Sequence, residues 1–190
     1  MALGSAFATT FLTLAGAAVV TVRRRELHAW MEGSAATTAG LDVANDLIAL
    51  SGLVFVAAFF LTGWWLVELR RVAEWYQPSG LQRRSSWWAF AGWVVPVVNL
   101  WFPYQLVADS SRALRSRVTN FWPWWIAWLL VGVGRVLDPT GGELATVADV
   151  DRWILAEQVN AVITLIAFVC WWRVVRGATS AASTAATVGP

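Results

Sequence analysis

Two groups of polar residues interrupt long apolar stretches of this chain, and they are the places where it could do chemistry. Glu157, Asn160 and Thr164 recur at spacings of three and four, so a helix places them on one face. Ionisable groups at membrane depth are costly and usually face a bundle interior or a cavity. This stripe could line a pathway or join helices through hydrogen bonds, and Arg135 is the expected partner of Glu157.

The second group lies in VVPVVNLWFPYQ, residues 94–105, which is apolar but contains two prolines, an asparagine and a tyrosine. Pro96 and Pro103 each remove an amide donor, so a continuous helix is unfavourable here. Asn99 lies between them, and its amide can donate and accept, which predicts that it caps the broken backbone. Tyr104 is expected to place its hydroxyl at an interface.

Charged residues follow this segment directly. Asp109 and Arg112 are three residues apart, which makes them neighbours on a helix and predicts a solvated salt bridge. Arginines on both sides of the segment are predicted to contact anionic lipid headgroups or an acidic surface of a partner; they are Arg83, Arg84, Arg112, Arg115 and Arg117.

Known catalytic and metal-binding patterns are missing from the sequence. One histidine, His28, and one cysteine, Cys170, cannot make a metal constellation. There is no HExxH, no GxSxG and no glycine-rich phosphate loop. We therefore predict no cofactor and no enzyme; a lipid-acting enzyme would need Glu157 or Asp109 to face a bound lipid.

The composition is that of a membrane protein. Hydrophobic residues make up 58% of the 190 residues and charged residues only 14%, against about a quarter charged in soluble proteins. Arginines beside apolar runs are read as topology signals, so no nucleic-acid partner is expected. Runs long enough to span a bilayer lie near 6–22, 47–67, 121–137 and 154–172. We predict a multi-pass protein of the cell membrane.

The predicted architecture is an all-α membrane bundle of four transmembrane helices. Residues 1–176 form its single domain, and 177–190 are predicted to be a disordered tail. The first link contains a short surface helix, the second helix starts near Asp42 and stops before Pro78, and the third begins with Pro123 in its first turn. The fourth helix runs from about Asp149 to Arg176.

The broken segment decides the topology. If residues 87–107 do not cross the bilayer, nine arginines lie on one side and three, Arg23, Arg24 and Arg25, lie on the other. If they do cross, eight arginines lie on one side and four on the other. Irregular backbone at membrane depth is tolerated when protein surrounds it. We predict a re-entrant or interfacial broken helix, with five spans as the alternative. In the four-span topology all fifteen tryptophans except Trp30 and Trp153 lie in the cytoplasmic half.

The run GWVVPVVNLWFPYQLVADSSRA contains a W-x-x-P-x-x-N-L-W-x-P core followed by an aspartate and an arginine; the matching residues are Trp93, Pro96, Asn99, Leu100, Trp101, Pro103, Asp109 and Arg112. This pattern resembles the signature of a bacterial membrane family, common in actinobacteria and catalogued as domain of unknown function 4328. The resemblance implies an architecture and no activity. Basic residues before the first helix, frequent in that family, are absent here.

These features lead to two functional hypotheses. The first is an accessory or scaffolding subunit that binds a membrane partner, a second copy of itself or anionic lipid through its arginine- and tryptophan-rich cytoplasmic face. The alternative is a transporter or channel component, with the break from Pro96 to Pro103 and Glu157 lining the pathway.

Overall fold

The computed structural model describes residues 2–33, 39–77, 84–95, 97–136 and 146–188. Every regular element in these ranges is helical, which confirms the all-α part of the predicted fold. In chain order the elements are α1 (Ala2–Val22), α2 (Arg24–Met31), α3 (Ala39–Tyr76), α4 (Trp88–Val94), a 3-10 turn (Val98–Leu100), α5 (Phe102–Ala113), α6 (Trp122–Val136) and α7 (Val147–Val188).

The long helix α7 is the axis on which the others pack. Its direction is opposite to that of α1, because Phe7 contacts Phe168 with 6.1 Å between ring centroids, whereas Thr21 accepts a hydrogen bond from Gln158 at 3.0 Å. It is also opposite to that of α6. The rings of Trp124 and Trp171 are 4.6 Å apart, and ten residues further along α6 Gly134 lies beside Asn160.

Helix α3 runs in the same direction as α7. Trp65 packs edge-on against Trp171, with centroids 5.4 Å apart, and its indole donates to Thr179 Oγ1 at 3.2 Å. The bundle therefore has two distinct ends. We call the end with Trp65, Trp125 and Trp171 the aromatic end, and the end where Val20 packs on Val150 the opposite end.

Two helical stretches are long and apolar enough to cross a membrane: Leu53–Tyr76 and Val147–Val188. Their most apolar windows are only 22% and 28% buried inside the protein. A core helix of a soluble domain would be covered on most sides, so these exposed apolar faces suit acyl chains. Two shorter apolar helices, Ala6–Val22 and Trp122–Gly134, lie beside them.

Local sequence signals account for most helix ends. α3 ends at Tyr76, just before Pro78, and α6 places Pro123 in its first turn, where the missing amide has no intrahelical partner to lose. The predicted short helix in the first link is α2. Thr146 starts α7 in a reciprocal cap: its amide donates to the Asp149 carboxylate at 2.9 Å, and Asp149 N donates to Thr146 Oγ1 at 3.2 Å.

The prediction of a disordered tail is wrong for residues 177–188, which continue α7 without interruption. Ala178 and Ala185 are 0% and 4% exposed, and they pack with Leu69, Ala73 and Leu114. Alanine has the highest helix propensity, and its small side chain lets helices approach closely. The tail is therefore part of the folded domain, which extends beyond 176.

Candidate functional site

The segment that holds the sequence motif turns back on itself. Arg84, before α4, lies over the ring of Phe102 at the start of α5, with 4.1 Å from Cζ to the centroid. Its Nε also donates to Gln105 Oε1 at 3.4 Å. The rings of Trp88 and Phe102 are 4.6 Å apart. The chain thus enters and leaves the segment on the same side, as a re-entrant segment requires; Pro96 itself lies outside the described residues.

The break between α4 and α5 is supported from α6. Trp125, which is 1% exposed, donates its indole N–H to the carbonyl of Leu100 at 2.9 Å. Asn99 does not make the predicted cap through its side-chain oxygen, since Oδ1 is buried and has no hydrogen-bond partner among the described residues. The break frees backbone carbonyls from helical hydrogen bonds, and a hydrogen bond to one of them contributes about 0.5–1.5 kcal/mol. Trp125 makes such a bond to Leu100 at the point where the helix is interrupted.

Aromatic rings surround the break. Trp93 packs edge-on against Trp125 and Trp128, with centroids 6.3 and 5.7 Å apart. Tyr104 lies 4.8 Å from Trp122. Such pairs stabilise by about 0.5–1.5 kcal/mol beyond the area they bury. The motif residues therefore hold α4 and α5 against α6.

The remaining aromatic and proline residues of the motif differ in exposure. Pro103 is fully buried in the first turn of α5, where proline is tolerated, and Trp101 is 40% exposed just before it.

Two glycines outside the motif allow this packing, and the sequence analysis missed both. A Cβ at Gly63 of α3 would lie 2.3 Å from the ring of Phe90 in α4. A Cβ at Gly177 of α7 would lie 2.5 Å from Cγ2 of Val118. Glycine inside a long helix is a weak signal of close packing. It does not distinguish these two, because Gly16 of α1 and Gly132 of α6 have open space where a Cβ would lie.

Asp109 and Arg112 form the predicted ion pair, with 3.4 Å between Oδ1 and Nη1. The pair is not fully solvated, however, since the Asp109 side chain is 7% exposed and that of Arg112 is 53% exposed. Asp109 makes a further interaction besides this one. The aspartate is thus part of the packed interior, and the arginine reaches outward from it.

Arginines at the two ends of the bundle have different environments. At the opposite end Arg24 makes a bidentate pair with Asp151, with distances of 2.8 and 2.7 Å, and His28 lies 2.8 Å from the same carboxylate. Asp151 raises the pKa of Arg24 above its ordinary value through these hydrogen bonds. Arg23 pairs with Glu26 and Arg152 with Asp149, both at 3.2 Å.

At the aromatic end the arginines are largely uncompensated. Arg115, Arg117 and Arg173 are exposed and make no ion pair with any described residue. Arg176 lies over the ring of Trp172, at 5.6 Å from its centroid. Arg83 is outside the described residues. The structure places Arg84, Arg112, Arg115, Arg117, Arg173 and Arg176 at one end of the bundle, the grouping that the four-span topology requires. Their contact with lipid or a partner stays a prediction.

The polar stripe of α7 lies apart from the break. Asn160 and Thr164 are 6% and 9% exposed, and the amide atoms of the first and the hydroxyl of the second lack hydrogen-bond partners in the described part of the chain. Asn160 faces Gly134, which is nine residues from Trp125, or about 13 Å along α6. Glu157 is half-buried. The side chain of Arg135 is not described, so its pairing with Glu157 stays a prediction.

These observations define a class of protein: the described residues are all-helical, and two of the helices are able to cross a membrane. A broken segment that turns back lies at the aromatic end. The family model described as Domain of unknown function (DUF4328) matches residues 29–180, and the chain belongs to this family. The match runs from α2 into the last part of α7. No curated protein and no solved structure matches the chain.

Proposed function

We propose that this protein is a multi-pass membrane protein that acts as an accessory or scaffolding subunit. In this proposal its aromatic end faces the cytoplasm and binds an acidic surface of a membrane partner or anionic lipid headgroups. The observation that supports it best is the group of exposed arginines at the aromatic end. Arg115, Arg117 and Arg173 have no paired carboxylate among the described residues, although Arg70, Arg71 and Arg112 of the same end do. At the opposite end Arg23, Arg24 and Arg152 are paired, and Arg25 is exposed.

Four crossings are supported by the packing of the two shorter helices. α1 has 21 residues and would be about 32 Å long, which is enough for a hydrocarbon core of about 30 Å. α6 is shorter, but it runs alongside α7 from Trp124 to Gly134. α6 has 15 residues and is about 22 Å long, so it would need local thinning of the bilayer to cross. In this arrangement α1 and α3 form one antiparallel hairpin and α6 and α7 another, and α4 and α5 re-enter from the cytoplasmic side.

Exposed tryptophans support the assignment of the aromatic end to the membrane interface. Indole rings prefer the headgroup region, where an apolar body meets lipid and the N–H meets water. Six tryptophans of the described residues are exposed, and five of them lie close to that end outside the break: Trp64, Trp75, Trp87, Trp122 and Trp172. The sixth, Trp101, lies in the break itself. Eight arginines of the described residues also flank this end, which supports a cytoplasmic side; they are Arg70, Arg71, Arg84, Arg112, Arg115, Arg117, Arg173 and Arg176.

The transporter hypothesis has less support. It needs one continuous polar route past the break and the α7 stripe, but the two lie about 13 Å apart along α6. The unpaired polar atoms of Asn160 and Thr164 are explained as well by a buried water between α6 and α7. Binding through the arginines of the aromatic end requires no such route.

Copurification under gentle extraction tests the proposal. Charge reversal of the aromatic end in Arg112→Glu/Arg173→Glu should abolish recovery of a reproducible membrane partner or of bound anionic lipid. Arg25→Glu, which changes an exposed arginine near the opposite end in the same way, is the matched control and should have no effect. Equal recovery from all three proteins, or no associated partner or lipid in any preparation, would contradict the proposed function.

A further inference from the structure

A groove of about 380 Å³ lies at the aromatic end, between the end of α3, the link from α5 to α6 and the last part of α7. None of its described lining residues is acidic. Its volume is in the range of small-ligand pockets. Its polar wall combines two guanidinium groups with three hydroxyls: Arg115, Arg117, Tyr76, Ser180 and Thr184.

The backbone that presents Arg115 is strained. α5 ends in a Schellman motif, in which Ser116 N donates to Ser111 O at 2.9 Å and Arg115 N donates to Arg112 O at 3.0 Å. Arg115 occupies the left-handed position of this motif, with φ 53°. Glycine is the usual residue there, and a residue with a Cβ costs about 1 kcal/mol more. An arginine kept at this cost indicates that its side chain has a use.

The link that carries both arginines is held firmly against α7. Val118 N donates to Ser116 Oγ at 3.3 Å. Gly177 lets Val118 approach the helix so closely that a Cβ would meet it at 2.5 Å. The guanidinium-bearing link and the hydroxyls of α7 are therefore pre-arranged on the two sides of the groove, which reduces the entropy lost when a ligand binds.

Nothing described in the groove neutralises its two arginines. Glu74, two residues before Tyr76, pairs instead with Arg70 at 2.7 Å. α7 contains no acidic residue after Glu157. Guanidinium groups match the geometry of phosphate oxygens and bind them through paired N–H donors. The hydroxyls of Tyr76 and Ser180 can donate to the remaining oxygens, whereas that of Thr184 already donates to the carbonyl of Ser180 at 3.0 Å.

We propose that this groove is a binding site for a phosphate group, carried by an anionic phospholipid headgroup or by a small soluble phosphate compound. The apolar wall, formed by Leu114, Ala181 and Ala185, accepts the carbon skeleton next to the phosphate. This inference rests on the proposed function, because it identifies the chemical group that one part of the aromatic end binds.

The variant Arg115→Gly separates binding from folding. Glycine retains the left-handed backbone and removes the guanidinium, so the melting temperature should stay equal or rise while affinity for the phosphate probe falls at least about tenfold. Arg117→Gln should weaken binding similarly. Arg173→Gln removes an exposed arginine of the same end that does not line the groove, and its affinity should remain within about twofold of the wild type.

The full-length purified chain is titrated by calorimetry with inorganic phosphate and with glycerol 3-phosphate. It is also compared in nanodiscs of phosphatidylglycerol and of phosphatidylcholine by thermal unfolding. Saturable binding of a soluble probe that Arg115→Gly and Arg117→Gln weaken identifies a soluble ligand. Stabilisation by phosphatidylglycerol alone, lost in the same variants, identifies a headgroup.

Two results would overturn the groove site: no response to any probe, or a response that Arg115→Gly and Arg117→Gln leave unchanged. Neither result would by itself contradict the proposed function. That function is tested by the copurification of Arg112→Glu/Arg173→Glu, and neither of these residues lines the groove.

Discussion

At the scale of single residues, the hydrogen bond from Trp125 to the carbonyl of Leu100 is the contact on which the broken segment depends. It joins residues 25 apart in the chain and lies at the point where α4 and α5 are interrupted. In the proposed re-entrant topology little water reaches this point, so loss of the bond leaves a carbonyl without a partner.

We expect Trp125→Phe to lower the free energy of unfolding by about 1–3 kcal/mol, because the hydrogen-bond donor is lost and the smaller ring leaves a cavity in the core. Thermal unfolding in detergent measures the effect. Trp64→Phe makes the same substitution at an exposed position of α3 and should change the melting temperature little. Equal stability of the two variants would mean that the indole N–H is not needed at the break.

Sequence reasoning located the break but not its support. Two prolines within eight residues predict interrupted backbone wherever they occur, so the position follows from local chemistry. Asn99 was the obvious partner because it is adjacent. Which of fifteen tryptophans would reach Leu100 depends on how α6 packs, and no spacing along the chain contains that information.

At the scale of helices, the turn-back of the segment makes a topological prediction. Ser85 precedes α4 and Asn120 precedes α6, and both are exposed. Single cysteines at these positions, in a Cys170→Ser background, should be labelled by a membrane-impermeant reagent from the same side. The predicted side is cytoplasmic. Labelling from opposite sides would establish the five-span topology instead.

The helical tail makes a second prediction at this scale. Ala178→Leu should destabilise the protein by about 1–3 kcal/mol, because Ala178 is 0% exposed and the added carbons have no room. Ala186→Leu, on an exposed face of the same helix, is the control and should be neutral. If both were neutral in thermal unfolding, residues 177–188 would not pack on the bundle in solution.

The long apolar helices and their ends were predictable because hydrophobic length, proline and capping residues act locally. The tail was not. Its alanines, serines and threonines have the composition of a flexible terminus, and small residues become a packing surface only when another helix lies against them. That surface is formed by Leu69 and Ala73 of α3 and by Leu114 after α5.

At the scale of the whole molecule, the available positive charge depends on how many arginines lie at each end and on how many of them are paired with carboxylates. The net charge is only +2, yet Arg115, Arg117 and Arg173 at the aromatic end have no carboxylate partner among the described residues, whereas Arg23, Arg24 and Arg152 at the opposite end are paired. The sequence predicts the arginine bias, since it can be counted. It does not predict that Asp151 of α7 would bind Arg24 and His28, 127 and 123 residues away.

The span between Leu100 and its donor has a consequence for biogenesis. A ribosome adds about 5–20 residues per second, so Trp125 is synthesised about 1–5 s after Leu100. During that interval α6 has not been synthesised, and no indole N–H is available to donate to the free carbonyl. In the proposed topology we therefore expect this stretch to stay at the aqueous surface and to enter the bilayer only after α6 has been inserted.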